Sequence, residues 1–450
     1  MSTPRLPSYM RKILLSSLLT VGLFGCSGTR DMGDMTPPPP PAPTAPTQAS
    51  YEPMAECDNG KAGEYDCGSV DLVSHISVEE MGSGRGNDIW GWTDSETGIE
   101  YALVGMDDGT VFVSLENPAS PLNLGKMPTT TEASVWRDLK TYADHVFVGS
   151  EAPGHGMQIF DLTRLRGLSA DPARTFEPDA LYEGFGSSHN IVMDEESGFV
   201  YGVGAVSNGV GTTLPASCGP KGFHAVDVRD PQNPKFSTCF SDAERDVAPR
   251  SGPGYTHDAQ CLVYDGPDAD YTGKQLCFAA NEDVVTIFDV SDKSNVTIIS
   301  MANYPRHAYS HQGWLTEDQR YFLLNDELDE ISGNSPTQRT LVFDFEDLDN
   351  PSFAYEWDSG LTVIDHNNYI LGDFSYQSNY KAGLRIIDVS KVAEGTLTEA
   401  AFFDTFPQGQ DVQFGGQWSN FPYFDSGLVI ANDSQNGLFV LKPNLDGPSL

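Results

Sequence analysis

From residue 69 to about residue 445, short apolar runs alternate with clusters of Gly, Asp, Asn and Pro, and hardly any stretch carries the 3.6-residue period of a helix. The pattern predicts an all-β domain. One segment type recurs in seven copies, among them YALVGMDDGTVFVSLENPASP, HVFVGSEAPGHGMQIFDLTRL, QLCFAANEDVVTIFDVSDKSN, YILGDFSYQSNYKAGLRIIDVSKV and GLVIANDSQNGLFVLKP. Each copy reads as a strand, a polar loop and a second strand that ends in Asp or a neighbour, often followed by a D-P-x-N-P type turn. Ahead of each copy another strand begins in register: DIWGW at 88, WRDLK at 136, HNIVM at 189, HDAQC at 257, HQGWL at 311, HNNYI at 366 and QWSNF at 417. These starts lie about 50 to 70 residues apart, which suits a four-stranded propeller blade with variable loops, whereas solenoid repeats have periods of about 20 to 30. The expectation is a seven-bladed β-propeller. After GLFVLKP only a short tail follows, and VDLVSHISV at 70–78 is a strand with no blade of its own. Adding that N-terminal strand to the last blade closes the ring and removes an exposed edge.

The N-terminus has a different character. Arg5, Arg11 and Lys12 precede a short apolar run, Ile13 to Gly25, and then Cys26. About a dozen apolar residues are too few to cross a bilayer core, which needs roughly 20, so residues 1–25 read as an export signal. Gly25 directly before Cys26 is like the lipobox of bacterial lipoproteins, which implies lipidation of Cys26 and anchoring in a membrane; Ser27 in place of Asp favours the outer membrane or cell surface. Residues 26–55 include PPPPPAPTAP and form a Pro-rich tether unable to bury a core. Residues 56–68 are a short Cys-containing lead-in, and 69–445 form the propeller.

Composition narrows the partners. With 64 acidic against 26 basic residues the chain carries a formal charge of -38, which repels phosphate backbones and argues against a nucleic-acid partner. Six cysteines remain besides Cys26, an even number that fits three disulfides in an oxidising compartment. Of 15 pairings, local closure favours Cys57 with Cys67, Cys218 with Cys239, and Cys261 with Cys277.

The segments WGWTD, GHGMQIFDLTRLR, YTHDAQC, HQGWLTEDQRYFLLNDELDE, AGLRIIDVS and GLFVLKP resemble the LVIVD-repeat proteins of bacterial and archaeal surfaces, specifically the choice-of-anchor B family, over residues 70 to 443. The resemblance implies a surface-attached, propeller-like domain and no established activity.

In a propeller the first strand of each blade starts beside the central channel, and the loop between the second and third strands returns to the same face. Two sets of residues should therefore converge. The first-strand starts carry Arg137-Asp138, His189-Asn190, His257-Asp258, His311-Gln312 and His366-Asn367. The returning loops carry Asp107-Asp108, Glu151, Asn281-Glu282, Asp326-Glu327 and Asn432-Asp433, and His155 of GHG can reach the same face. Neutral imidazole offers a metal a lone pair, and four of them, His189, His257, His311 and His366, suit Fe, Cu or Zn. A histidine at this position can equally hydrogen-bond a neighbouring blade, so both roles stay open. Oxygen-rich returning loops suit structural Ca²⁺, although none has the D-x-[DN]-x-[DN]-G spacing of a hand-type loop. Trp90, Trp92, Trp136, Trp314 and Trp418 recur near first strands, where they pack between blades or line a pocket.

No G-x-S-x-G elbow occurs, and GHG and GSGRG lack the strand-to-helix setting of a nucleotide loop. Two functional expectations follow. The first is a surface-anchored propeller acting as an extracellular binding module for a glycan, peptide or small molecule. The alternative is a metal-dependent enzyme with the four histidines at the axis and Glu151, Glu282 or Glu327 orienting ligands or moving protons.

Overall fold

The computed structural model describes residues 51–211, 214–215, 218, 221–243 and 250–445. The export signal, Cys26 and the tether up to residue 50 lie outside the described residues. From Gly86 the chain forms seven antiparallel sheets in sequence order, each with four strands from the blade itself or from the chain's other end. Blade 1 runs from Gly86–Thr93 to Leu122–Pro128, and blade 2 from Arg137–Tyr142 to Ala180–Tyr182. Blades 3, 4 and 5 begin at Asn190–Asp194, Asp258–Val263 and Ser310–Leu315, blade 6 at Asn368–Leu371 and blade 7 at Gln417–Phe421. The first strands contact one another in succession, and that of blade 7 returns to that of blade 1, so the ring is closed.

The recurring Asp of the repeat has a local cause. Asp161, Asp227, Asp289, Asp344 and Asp388 each end a third strand, and in each the carboxylate accepts the backbone N–H two residues on, at 2.8 to 3.1 Å. This Asx turn stops the strand and starts the crossing to the outer strand. Blade 1 uses Ser114 in the same way, accepting from the Glu116 N–H. Between third and fourth strands the register slips by one residue in blades 1, 3, 4, 5 and 6. Such bulges increase the twist each sheet needs to pack obliquely on its neighbours.

The seventh blade is completed from the other end of the chain. Val70–Ile76 pairs antiparallel with Gly437–Pro443, Val70 opposite Pro443 and Ile76 opposite Leu438. The lead-in has a part of its own: Lys61–Ala62 and Tyr65–Gly68 form a hairpin that adds two strands to the outer edge of blade 6, with Cys67 opposite Phe403. The Cys57–Cys67 disulfide pins it, and Cys218–Cys239 and Cys261–Cys277 join the remaining cysteines as the spacing suggested. Three disulfides fit an oxidising, extracytoplasmic environment.

The inner edge of every blade is a strand whose outward N–H groups need partners. Side chains from the preceding blade supply them: Asp88 accepts from Leu139 N (3.1 Å), Asp138 from Ile191 N (2.7 Å), Gln260 from Leu315 N (2.9 Å) and Gln312 from Asn368 N (2.8 Å). The polar residue after the first-strand Arg or His in RD and HQ is therefore architectural. It joins blade to blade.

Closure by the N-terminal strand predicts a measurable cost. Phe439, fully buried on Gly437–Pro443, packs against His75 (4.4 Å between ring centroids), Tyr65 (5.3 Å) and Phe403 (6.0 Å). Phe439→Ala should destabilise the fold by about 3–5 kcal/mol in denaturant unfolding followed by circular dichroism. A loss below about 1 kcal/mol would show that this seam contributes little.

Candidate functional site

His189, His257, His311 and His366 enter the channel from four consecutive blades, and their rings form a continuous arc. Centroids are 4.2 Å apart between His189 and His257, 4.1 Å between His257 and His311, and 4.4 Å between His311 and His366. His311 stands in a bulge, because Ser310 pairs with Asp326 and Gln312 with Asn325 while His311 has no partner across the sheet. A bulge releases one residue from the pleat alternation and re-aims its side chain. Trp418 occupies the same kind of bulge in blade 7.

The hydrogen bonds assign the protons. His189 Nδ1 donates to Glu151 Oε1 at 2.6 Å, His257 Nδ1 to the His311 carbonyl at 2.9 Å, and His366 Nδ1 to the Trp418 carbonyl at 2.6 Å. With Nδ1 carrying the proton, Nε2 of each neutral ring holds a free lone pair. His311 Nδ1 faces the His366 carbonyl but makes no hydrogen bond of good geometry. Burial, reinforced by the neighbouring imidazoles, holds His257 and His311 well below the usual histidine range. Burial takes His366 down to about 3. These rings are neutral at any pH near 7.

Glu327, from the returning loop of blade 5, meets the arc at two rings. Its Oε2 lies 3.6 Å from His311 Nε2 and its Oε1 3.8 Å from His366 Nε2, and the ligand atoms of these three residues all fall within 4.8 Å of one another. Tyr380 Oη donates to Glu327 at 2.6 Å. Burial is the main cause that raises the Glu327 carboxyl to about 7. The His366 Nε2 lone pair and His311 Nε2 therefore face the Glu327 carboxyl at distances too long for a hydrogen bond. A cation between them would be coordinated by all three groups. Metal–ligand lengths of about 2.0–2.2 Å separate neighbouring ligand atoms by roughly 3 to 3.5 Å, so the 3.6 and 3.8 Å separations seen here need a small contraction to close on an ion.

A cavity of about 10 Å³ lies inside the arc, lined by all four histidines with Asp88, Asp138, Arg137, Asn190, Asn367, Trp136 and Trp418. It has room for one ion or water. Beside it Lys140 Nζ donates to Asp138 at 2.6 Å, lies 3.7 Å from Asp88 and sits 4.6 Å over the Trp90 ring. Burial opposes the Lys140 charge, but the carboxylates of Asp138, Asp88 and Asp258 outweigh it and its pKa rises. Burial raises Asp138, and raises Asp258 to about 6.

The other candidates are placed differently. Glu282, in the left-handed backbone region (φ 68), directs its carboxylate to Ser251 N (2.7 Å) and Oγ (2.5 Å). Asp326 accepts from Ala308 N, Tyr309 N and Tyr304 Oη and so fixes the turn that leads into His311. His155 is fully buried; its Nδ1 donates to the Gly156 carbonyl and its Nε2 accepts from Arg137 Nη1 at 2.9 Å, which engages its lone pair. The returning-loop acids considered for Ca²⁺ are engaged too: Asp433 accepts from Gln435 N and Asn436 N, and Asp108 from Lys126. Sequence reasoning did not single out Tyr255, Tyr309 and Tyr380, which wall the arc. The repeated Y-x-H of YTH and YSH was the available signal for the first two.

No family model matches the chain, and no curated protein matches it. Among solved structures it is similar to the β-propeller domain of Myceliophteria thermophila Cps50 (Swd1), with 13% identity over 83% of this chain and 98% of that one and a TM-score of 0.49. It is also similar to a protein from Lactobacillus plantarum, with 14% identity over 77% and 88% and a TM-score of 0.47. Identities this low carry nothing about function.

The neutral histidines set the sign of an acid effect. Unfolded imidazoles take up protons below about pH 6.5 while His257, His311 and His366 do not, so these residues make folding less favourable as pH falls, down to about 3 for His366. Glu327, raised to about 7, and Asp258, raised to about 6, act in the opposite sense between those values and the ordinary carboxyl range. Histidine ring resonances in NMR should show His257, His311 and His366 unchanged between about pH 7 and 5. Midpoints near 6.5 for these three would contradict the assignment.

Proposed function

We propose that the chain is an exported, lipid-anchored propeller that holds one first-row transition-metal ion, iron or zinc, at one end of its axis and uses it in catalysis. The observation that supports this is the confrontation of His311 Nε2 and His366 Nε2 with the Glu327 carboxylate at 3.6 and 3.8 Å. Two imidazoles and a carboxylate suit Zn²⁺ or non-haem Fe²⁺, and such a set leaves coordination positions open for water or a substrate, unlike a closed structural site. His257 and His189 continue the arc beyond these three residues. Glu151 orients His189 and Tyr380 orients Glu327, the outer-shell support that ligands require. The binding-module reading fits this mouth less well, because a cavity of about 10 Å³ admits an ion and not a sugar ring or a peptide side chain.

The anchor is the second part of the proposal. It is supported by the basic, apolar and Gly25-Cys26 pattern at the N-terminus and by the three disulfides. Likeness to the LVIVD-repeat, choice-of-anchor B proteins belongs to the same reading and is supported by the seven repeats.

Protein purified without a histidine tag should contain close to one iron or zinc per chain by elemental analysis. His311→Ala and Glu327→Gln should each lower metal affinity at least 10- to 100-fold while the β circular dichroism signal persists. Full-length chain free of metal after growth in iron and zinc would overturn the metal reading. Independently, Cys26→Ser should abolish incorporation of labelled palmitate and move the protein from the membrane pellet to the soluble fraction; unchanged labelling would overturn the anchor.

A further inference from the structure

One buried cluster outside the histidine arc holds more carboxyls than partners for them. Asp329 and Glu330, in the returning loop of blade 5, and Asp365, in the segment that leads into blade 6, are 0%, 7% and 0% exposed. The side chains of Asp329 and Glu330 touch, and burial, followed by the charges of Asp365 and Asp329, pushes the Glu330 carboxyl up to about 11. The cation at hand is Arg339, whose Nε donates to Asp329 Oδ2 and whose Nη1 is taken by Glu356 at 2.8 Å. Three carboxylates against one shared guanidinium leave two negative charges without a counter-ion. Burying them in that state is costly.

Donors are missing as well as charge. Both oxygens of Glu330, Oδ1 of Asp329 and Oδ1 of Asp365 are buried without a hydrogen-bond partner. Among the described residues Glu330 is the one acid with both oxygens in that condition. Gln338, fully buried, contributes a neutral oxygen: its Nε2 donates to Asp365 Oδ2 at 3.4 Å, and its Oε1 has no partner. Five acceptor oxygens therefore belong to four side chains linked by contact or by charge. A proton shared by Asp329 and Glu330 would satisfy that pair and leave the oxygens of Asp365 and Gln338 as they are.

We propose that Asp329, Glu330, Asp365 and Gln338 hold a calcium ion that ties the returning loop of blade 5 to the entry of blade 6. Calcium takes six to eight oxygens at about 2.3–2.6 Å, from carboxylates and amide carbonyls alike, and a divalent ion matches the two uncompensated charges. Magnesium retains several waters and suits a dry cluster less well. No imidazole or thiolate stands in this set to favour iron or zinc. The three carboxyls lie wider apart than ligands around an ion and draw inward on binding. Asp329 follows Glu327 by two residues and Asp365 directly precedes His366, so the ion would fix the two segments that bring Glu327 and His366 together. This site is independent of whether the axis carries a transition metal.

The test measures calcium in the untagged full chain by elemental analysis as purified, and by isothermal titration with CaCl₂ after stripping with EGTA. Wild type should hold one calcium per chain or take one up with a Kd below about 1 mM. Glu330→Gln and Asp365→Asn should each lose affinity at least tenfold. In EGTA Glu330→Gln should unfold at or above the wild-type temperature, since an amide keeps the shape of the carboxyl and removes its charge. Asp347→Asn, in the largely exposed group of Asp268, Asp347 and Asp349, should bind as wild type does. No calcium in wild type by either measurement would overturn the proposal, as would equal affinity for Mg²⁺. So would a calcium response that survives Glu330→Gln and disappears in Asp347→Asn, which would assign the ion to the surface group, or in Glu327→Gln, which would assign it to the axis.

Discussion

Lone pairs that face one another in a buried channel are the constraint on which the rest of this structure depends. The neutral imidazoles of His311 and His366 crowd the Glu327 carboxyl without a hydrogen bond, and Nδ1 of His366 is committed to the Trp418 carbonyl, so its Nε2 presents a lone pair. Water could relieve such an arrangement only by donating in several directions at once. A cation would be coordinated by all three groups after a small contraction of the 3.6 and 3.8 Å separations. Everything nearby maintains the confrontation: burial keeps the rings neutral, Tyr380 holds the carboxylate, and Glu151 and backbone carbonyls hold the rings.

The propeller is a means of fixing those atoms. At four of the seven junctions an inner-strand N–H is received by a side chain of the preceding blade, so the spacing of those first strands is set by hydrogen bonds as well as by packing. On one side of the cavity, Lys140 among Asp88, Asp138 and Asp258 forms a charged belt that rests on Trp90, which in turn stacks edge-on with Tyr369 at 5.7 Å. Closure of the ring by Val70–Ile76, with the hairpin before it clamped on blade 6 through Cys67, ties the chain's first described segment to its last. Displacement of any one blade would spread the arc.

Much of the architecture was legible because it depends on period and punctuation. Seven first-strand starts, the Asp that ends five of the third strands and the orphan strand at 70–78 are local signals legible in the sequence. The candidate site was legible only as a set of residue types on one rim. Glu282 and Glu327 hold equivalent loop positions, yet one bonds Ser251 and the other faces two imidazoles. The difference lies in the left-handed backbone at Glu282 and the bulge at His311, which no alternation pattern reveals. His155 and Arg137 were grouped with the rim, but their contact with each other, and the unsatisfied Nη2 it leaves, depends on packing between distant segments. The hairpin at 61–68 was hidden because two-residue and four-residue strands leave too short a pattern to read.

Anomalous diffraction from crystals of the untagged protein, measured on both sides of the iron and zinc absorption edges, tests the central claim most directly. The account predicts one peak about 2.0–2.2 Å from His311 Nε2, His366 Nε2 and a Glu327 oxygen. An axis without an anomalous peak, with a proton or ordered water joining Glu327 to His366, would contradict it.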